Sequence, residues 1–160
     1  MAKRRVSQRA CDLQRVAHLY RHTEPYGPDV CVYCGDPANT IDHVCPVWHV
    51  TRLFDDLADH LHSLRHGLLT VPCCRDCNGA LGGFIAYCIS EKRDELKRRL
   101  RRKYQRLLGE YDWQPEELEE LGYSLRGYIE GQETKRDWIM SRLQFPRPWE
   151  VKLLRAGNDA

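Results

Sequence analysis

The sequence predicts an α+β protein, mostly helical, whose small β core carries a four-cysteine zinc site and is flanked by helices. Three observations lead there. Two Cys-x-x-Cys pairs, Cys31/Cys34 and Cys74/Cys77, make up the ligand set of a closed tetrahedral zinc site. A short β-prone stretch follows the first pair, Thr40-Ile41-Asp42-His43-Val44, and another precedes the second, Gly67-Leu68-Leu69-Thr70-Val71-Pro72. Elsewhere the apolar residues recur at helical spacing.

The 160 residues suit one domain, or one small domain with an appendage, and a 42% hydrophobic chain can bury a core. Although 30% of residues are charged, the net charge is only +2, so the distribution of charge says more about partners than its total. Eight cysteines would suit a disulfide framework in a secreted chain. The start, Met1 to Arg9, has no apolar run after its charges and does not read as a secretory signal. No apolar run approaches the ~20 residues that span a bilayer, so no membrane partner is expected. A reducing, cytoplasmic compartment is the expectation, and there paired cysteines favour metal. Three regions are expected: a basic arm and helix over 1–29, a core with a long basic helix over 30–108, and a helical C-terminal region over 109–160.

Taken in order, Lys3, Arg4, Arg5 and Arg9 form the basic arm. Leu13, Val16, Ala17 and Tyr20 then predict a helix over about 7–22, ended by Pro25, Gly27 and Pro28. His18 and His22 receive no role, since surface or packing histidines far outnumber ligands. Val30 to Gly35 reads as a strand entering a zinc knuckle, with Gly35 supplying the tight turn. Asp36-Pro37-Ala38-Asn39 is a turn, and Pro46 limits the β segment that follows it. Thr51, the stripe Leu53, Leu57, Leu61 and Leu64, and Gly67 predict a helix over 51–66; its His60, His62 and His66 read as surface residues.

From Asn78 one long helix is expected to about Leu108, burying Ile85, Ile89, Leu96, Leu100, Tyr104 and Leu107. Between Glu91 and Arg106 it carries nine Lys/Arg and three acids, a local net of +6. Such a stripe is usually a solvated face. Beside a candidate nucleic-acid enzyme it is a phosphate track, with Arg93, Arg98, Arg99, Arg101 and Arg102 as the expected DNA contacts. After Gly109 the charge turns acidic. Pro115 opens a helix ended by Gly122, and Ser124 and Thr134 are further N-cap candidates. Leu125, Tyr128, Ile129, Trp138, Ile139 and Leu143 supply apolar positions, Pro146 and Pro148 stop the last helix, and the tail from Ala156 is expected to be disordered.

Phosphodiester cleavage needs a base for water, a cation for developing charge, and support for the leaving oxygen. His43 is the candidate base, because a neutral imidazole accepts a proton near pH 7. Asp42 and Asn78 offer hard oxygens that suit Mg²⁺ or Mn²⁺ rather than zinc. Strand neighbours point to opposite sides, so Asp42 and His43 would approach a phosphate differently. A zinc held by all four cysteines would pin Asn78 near the 42–43 strand. Cys73 competes with Cys74 as a ligand, but the two-residue spacing favours Cys74. Cys11, Cys45 and Cys88 have no pairing logic and read as small buried hydrophobes.

Cys31-Val32-Tyr33-Cys34-Gly35, Thr40-Ile41-Asp42-His43-Val44-x-Pro46 and Cys74-x-x-Cys77-Asn78 together resemble the zinc-containing HNH endonucleases, whose fold is the ββα-metal motif. Arg65-His66-Gly67-Leu68-Leu69 followed by Cys74 to Gly82 is similar to the phage recombination endonuclease VII branch. The resemblance covers roughly residues 30–84. It implies Cys31, Cys34, Cys74 and Cys77 as structural zinc ligands, His43 as general base, and Asp42 and Asn78 as ligands of a catalytic Mg²⁺ or Mn²⁺. It also implies DNA as the partner, branched or nicked DNA as the substrate, and the cytoplasm of a bacterial or phage-infected cell as the setting. A homodimer or an assembly with other proteins stays open. The chain departs from the pattern where a second histidine is replaced by Cys45, and where Leu69 and Thr70 stand near the usual middle Asn. It departs again in a long segment between His43 and Cys74. The alternative function is a zinc-stabilised nucleic-acid-binding or assembly module without catalysis.

Overall fold

A computed structural model describes residues 14, 16–53, 68–110 and 112–146. The basic arm, Cys11, the start of the expected 7–22 helix, most of the 51–66 helix with its three histidines, and the tail lie outside these residues. The described residues are α+β, with three strands, a 3-10 turn at Ala17–Leu19 and, from Val47 on, six α-helices. In order they are β1 (Tyr20–His22), β2 (Thr40–His43), α1 (Val47–Arg52), β3 (Leu68–Cys73), α2 (Arg75–Leu81), α3 (Ile89–Lys103), α4 (Gln105–Leu108), α5 (Pro115–Glu119) and α6 (Tyr123–Gln144).

The sheet order is β1-β3-β2, with β3 central, parallel to β1 and antiparallel to β2. β3 is the strand that both neighbours bury, and its sequence LLTVPC is apolar on both faces, with five of its six residues buried. Tyr20 to His22, expected as the end of a helix, instead pair with Leu68 to Thr70. A three-residue stretch that finds an open strand edge gains ladder hydrogen bonds, and this outweighs a weak helical periodicity.

The pleat sorts the sheet into two faces. Cross-strand partners share a face, so His43, Thr70 and His22 form one row, with Tyr20 and Leu68 beside them. Thr40, Asp42, Leu69, Val71 and Cys73 face the other way. The second face meets the main core, where Leu69, Val71 and Cys73 pack with Val32, Tyr33, Leu81, Leu96, Leu100, Ile139 and Leu143. The first face carries a smaller cluster of Val16, Cys45, Val50 and Leu68 under α1. α1 begins at Val47, four residues before the expected capping Thr51, and Pro46 stands at its N-cap.

The expected single helix from Asn78 to Leu108 is three helices. α2 ends at Gly82, whose φ of 51° lies in the left-handed region, and α3 does not start until Ile89. The Gly82-Gly83 pair ends the helix, because glycine takes that conformation without strain. Ile85 is therefore exposed rather than buried, while Leu96, Leu100 and Leu107 enter the core as expected. In the C-terminal region Pro115 opens α5, and Glu117 reaches back to the Gln114 amide at 2.8 Å in a capping box. Ser124 and Thr134 cap nothing: α6 is one 22-residue helix, and the Thr134 hydroxyl bonds back to the Glu130 carbonyl. No helix among the described residues is long and apolar enough to cross a membrane.

Candidate metal centre

The knuckle is built by backbone hydrogen bonds that close on Gly35. Cys31 N donates to the Asp36 carbonyl at 2.8 Å and Gly35 N to the Cys31 carbonyl at 2.9 Å. Gly35 has φ of 82°, as the turn requires, and a Cβ there would stand 2.6 Å from the Phe145 ring. Val32 N donates to the Pro72 carbonyl at 3.1 Å, which lays the knuckle along β3. The second arm sits where β3 hands over to α2. Cys74 is the N-cap, its sulfur accepting from Cys77 N at 3.4 Å, and Asn39 Oδ1 accepts from Arg75 N at 2.9 Å.

These two arms bring Cys31, Cys34, Cys74 and Cys77 together with all sulfurs within 4.8 Å of one another, all buried. The Cys34 and Cys74 sulfurs are 3.7 Å apart, too far for a disulfide and close to the ~3.8 Å edge of a tetrahedron with Zn–S near 2.3 Å. The donor set therefore fits a structural zinc ion. With no cation among them, sulfurs this close cannot all ionise. Hydrogen bonding from Cys34, then from Cys73, Cys74 and Cys77, pushes Cys31 far down. The same crowding, led by the bond to Cys31, pushes Cys34 and Cys77 up. Only a bound cation makes four thiolates compatible in one buried space. Cys73 is not one of the four; it neighbours Cys31, and its thiol donates to the Cys74 carbonyl at 3.2 Å. Cys45 is buried as expected, and burial lifts its thiol to about 11. Cys88 is half-exposed rather than buried, 3.0 Å from the Ser90 hydroxyl.

The cluster fixes α2 against β2, and Asn78 Nδ2 lies 3.4 Å from Thr40 Oγ1. Thr40 and Asp42 are on one face of β2, so Asn78 stands beside the strand two residues before Asp42. Asp42 itself is engaged. Its Oδ2 accepts from the Tyr33 hydroxyl at 2.7 Å and from Lys92 Nζ at 2.6 Å. Lys92 is fully buried, Asp42 nearly so, and Lys92 also donates to the His43 carbonyl at 2.8 Å. Lys92 thus clamps α3 onto the end of β2 and is not part of a solvated stripe.

His43 points to the opposite face. Its ring meets the edge of Tyr20 at 4.7 Å, and the Tyr20 hydroxyl donates to the Cys45 carbonyl at 2.5 Å. Burial lowers the His43 pKa below the ordinary histidine value; Asp42 pulls it back in part, and Lys92 adds the smallest push downward. Its imidazole is therefore neutral at pH 7. Across the row, His22 lies 3.0 Å from Thr70 Oγ1 and 2.9 Å from Glu24 Oε1.

The five arginines expected along one stripe diverge. Arg93 turns inward, donating to the Val32 carbonyl at 2.7 Å and to the Tyr26 hydroxyl at 3.2 Å, and lies over the Tyr26 and Phe145 rings. Arg98 and Arg99 both grip Glu95, whose carboxyl Arg98 and then Arg99 hold down to about 2. Arg99 also donates to the Ala80 carbonyl, tying α3 to the end of α2. Arg101 and Arg102 remain exposed. Because of the break at Gly82, none of these arginines shares a rigid element with Asn78.

Sequence reasoning missed Tyr33 and Lys92 as partners of Asp42, Thr40 as partner of Asn78, and Arg142. Lys92 did leave a signal: it stands three residues after Ile89 and four before Leu96, a lysine on an apolar stripe. In comparisons with known proteins, no family model, no curated protein and no solved structure matches this chain significantly.

Proposed function

We propose that the chain is a metal-dependent endonuclease of the HNH type, in which β2, β3 and α2 form a ββα-metal core around a structural zinc. The observation that carries this reading is the four-cysteine cluster, because it holds Asn78 against Thr40 and so beside Asp42-His43. His43 is the general base that takes the proton from the attacking water, and its lowered pKa keeps it in the accepting form. The donors left over suit a hard cation. Both bonds to Asp42 use Oδ2 and leave Oδ1. The Asn78 amide nitrogen faces Thr40 and leaves its carbonyl oxygen. Asp42 and Asn78 would hold Mg²⁺ or Mn²⁺, which when bound neutralises charge on the phosphoryl and leaving oxygens. Tyr33 and Lys92 orient the Asp42 carboxylate, and Lys92 also fixes the His43 carbonyl, so both candidate residues are set by one buried clamp.

A second reading, a zinc-stabilised nucleic-acid-binding or assembly module, draws on that same clamp: Lys92 already compensates the charge of Asp42. Supercoiled plasmid incubated with the zinc-loaded chain and Mn²⁺ or Mg²⁺ separates the two. The endonuclease should nick it, and His43→Ala should abolish nicking while zinc content and DNA affinity stay within about twofold. Asp42→Ala and Asn78→Ala should respond to raised Mn²⁺. Plasmid left intact under both metals, or nicked equally by His43→Ala, overturns the endonuclease reading.

A further inference from the structure

Cationic side chains from three helices meet at one place on the surface. A groove of ≈ 730 Å³ runs between α2, the end of α3 and α6. Arg75, Arg99, Arg102, Lys103 and Arg142 line it, against one carboxylate, Asp76. Arg99 is paired with Glu95, and Arg142 with Asp36 and Asp76. Arg75, Arg102 and Lys103 have no ion-pair partner among the described residues. The groove is therefore cationic after its internal pairs are formed.

Its wall is also aromatic. The Arg142 guanidinium lies 3.7 Å over the Trp138 ring, covering one face, and Trp138 is still 39% exposed. Arg142 is held to the knuckle by Asp36 and is itself buried, so the ring is backed by an immobilised plane. Lys103 and Lys135 flank the Tyr104 ring at 5.1 and 5.6 Å, which adds charge along the rim.

We infer that this groove binds an unpaired nucleic-acid strand, with phosphates on Arg75, Arg102 and Lys103 and one base stacked on Trp138. Cationic tracks with interleaved rings are the general solution for single strands, because every base offers a π-face and every nucleotide a phosphate. A paired base has both faces covered by its neighbours, so the Trp138 platform selects against duplex. An acidic peptide would satisfy the cations but leave the stacked Trp138–Arg142 plane without a partner. The groove lies on α2, round the helix from the face that Asn78 presents to β2. A strand held there passes within about one helix diameter, ~10 Å, of the proposed cleavage site. The inference deepens the endonuclease reading by naming the form of its substrate near the cut.

The test uses the zinc-loaded 160-residue chain without added Mg²⁺ or Mn²⁺. Fluorescence anisotropy follows a labelled oligothymidylate, the same strand paired into duplex, and competition by an oligoglutamate. Trp138→Leu should weaken single-strand binding by about 5-fold or more and leave duplex binding unchanged, while Trp138→Phe, which keeps a ring, should restore most of the affinity. The pair Arg102→Gln and Lys103→Gln should flatten the slope of log affinity against log salt by about 1.4, that is ~0.7 for each single-strand phosphate no longer neutralised. Arg126→Gln, on the exposed first half of α6, should change neither quantity. Unaltered single-strand affinity in Trp138→Leu with zinc content and helicity intact overturns the inference. So does an oligoglutamate that competes as well as the oligothymidylate. Plasmid that is never nicked would remove the endonuclease reading and leave this binding result standing, and the converse also holds.

Discussion

Lys92 shows how much one side chain can decide. Its Nζ is removed from water altogether and satisfied by Asp42 Oδ2 and the His43 carbonyl. Removing one member of a buried pair leaves the other charge without compensation, so Lys92→Met should destabilise the zinc-loaded chain by about 3–5 kcal/mol. Urea unfolding reads this directly. Adding Asp42→Leu to Lys92→Met should recover much of the loss, because two apolar groups in that space need no partner. If the double variant is no more stable than the single one, Asp42 is held by more than this pair. His43, next along the strand, gives a pH prediction. Its folded pKa is lowered from 6.5, so the unfolded chain binds the proton at higher pH than the folded one. The penalty for burying neutral His43 is absent above pH 6.5 and grows as pH falls from there towards the folded value. Under the endonuclease proposal the acid limb of kcat/KM should therefore bend below pH 6.5, and a limb at or above that value would contradict a buried, neutral base.

At the scale of elements, the two cysteine arms are short and weak on their own. α2 has seven residues, fewer than an isolated helix needs, and the knuckle is a single turn. Four sulfurs on one ion would convert them into a fixed corner between β2, β3 and α2. We expect close to one zinc per chain in elemental analysis, and chelation should unfold the 30–84 region, since structural zinc supplies folding free energy outright. Any of Cys31→Ser, Cys34→Ser, Cys74→Ser or Cys77→Ser should do the same, whereas Cys45→Ser and Cys88→Ser should leave zinc content intact. Amide exchange that stays protected in β2 and β3 after zinc removal would show the core to be self-sufficient. The helical elements carry the opposite lesson. α3 is long enough to have been foreseen, yet its basic residues split between the core, the Glu95 pairs and the groove according to which neighbour lies under each turn.

For the whole molecule, α6 is joined to the metal corner mainly through its last turns. Ile139 and Leu143 enter the main core, while Arg142 reaches Asp36 in the knuckle and Asp76 at the start of α2. After Gly109 the charge turns acidic, and the ion pair seen in this segment is made with α6. There Arg136 pairs with Asp112. Arg142→Met keeps the length of the side chain and removes its bonds. The expected cost is about 1–3 kcal/mol, because Asp36 and Asp76 can return to water. Zinc content should hold, but amide exchange should rise in the second half of α6 and in the knuckle together. Exchange that rises in α6 alone would mean that the helix and the metal corner are not coupled through this residue.

The sequence by itself determined the parts whose chemistry is local. Cysteine spacing picked the four clustered sulfurs and rejected Cys73. A glycine after the second cysteine marked the positive-φ turn, and Pro115 marked a helix start. The nearness of Asn78 to β2 follows from the same spacing, because Asn78 directly succeeds a cysteine of the cluster. The tertiary structure decided whatever depends on what lies opposite. Tyr20 to His22 became a strand because β3 offered an open edge. The long helix broke at Gly82 because a positive φ turns the chain back, so that α3 could bury Lys92 on Asp42. Arg93, Arg98 and Arg99 left the expected stripe because backbone carbonyls and Glu95 stood within their reach. Spacing along a chain fixes which residues can share a turn or an ion; burial and pairing depend on partners that are distant in sequence, and a one-dimensional pattern carries no record of them.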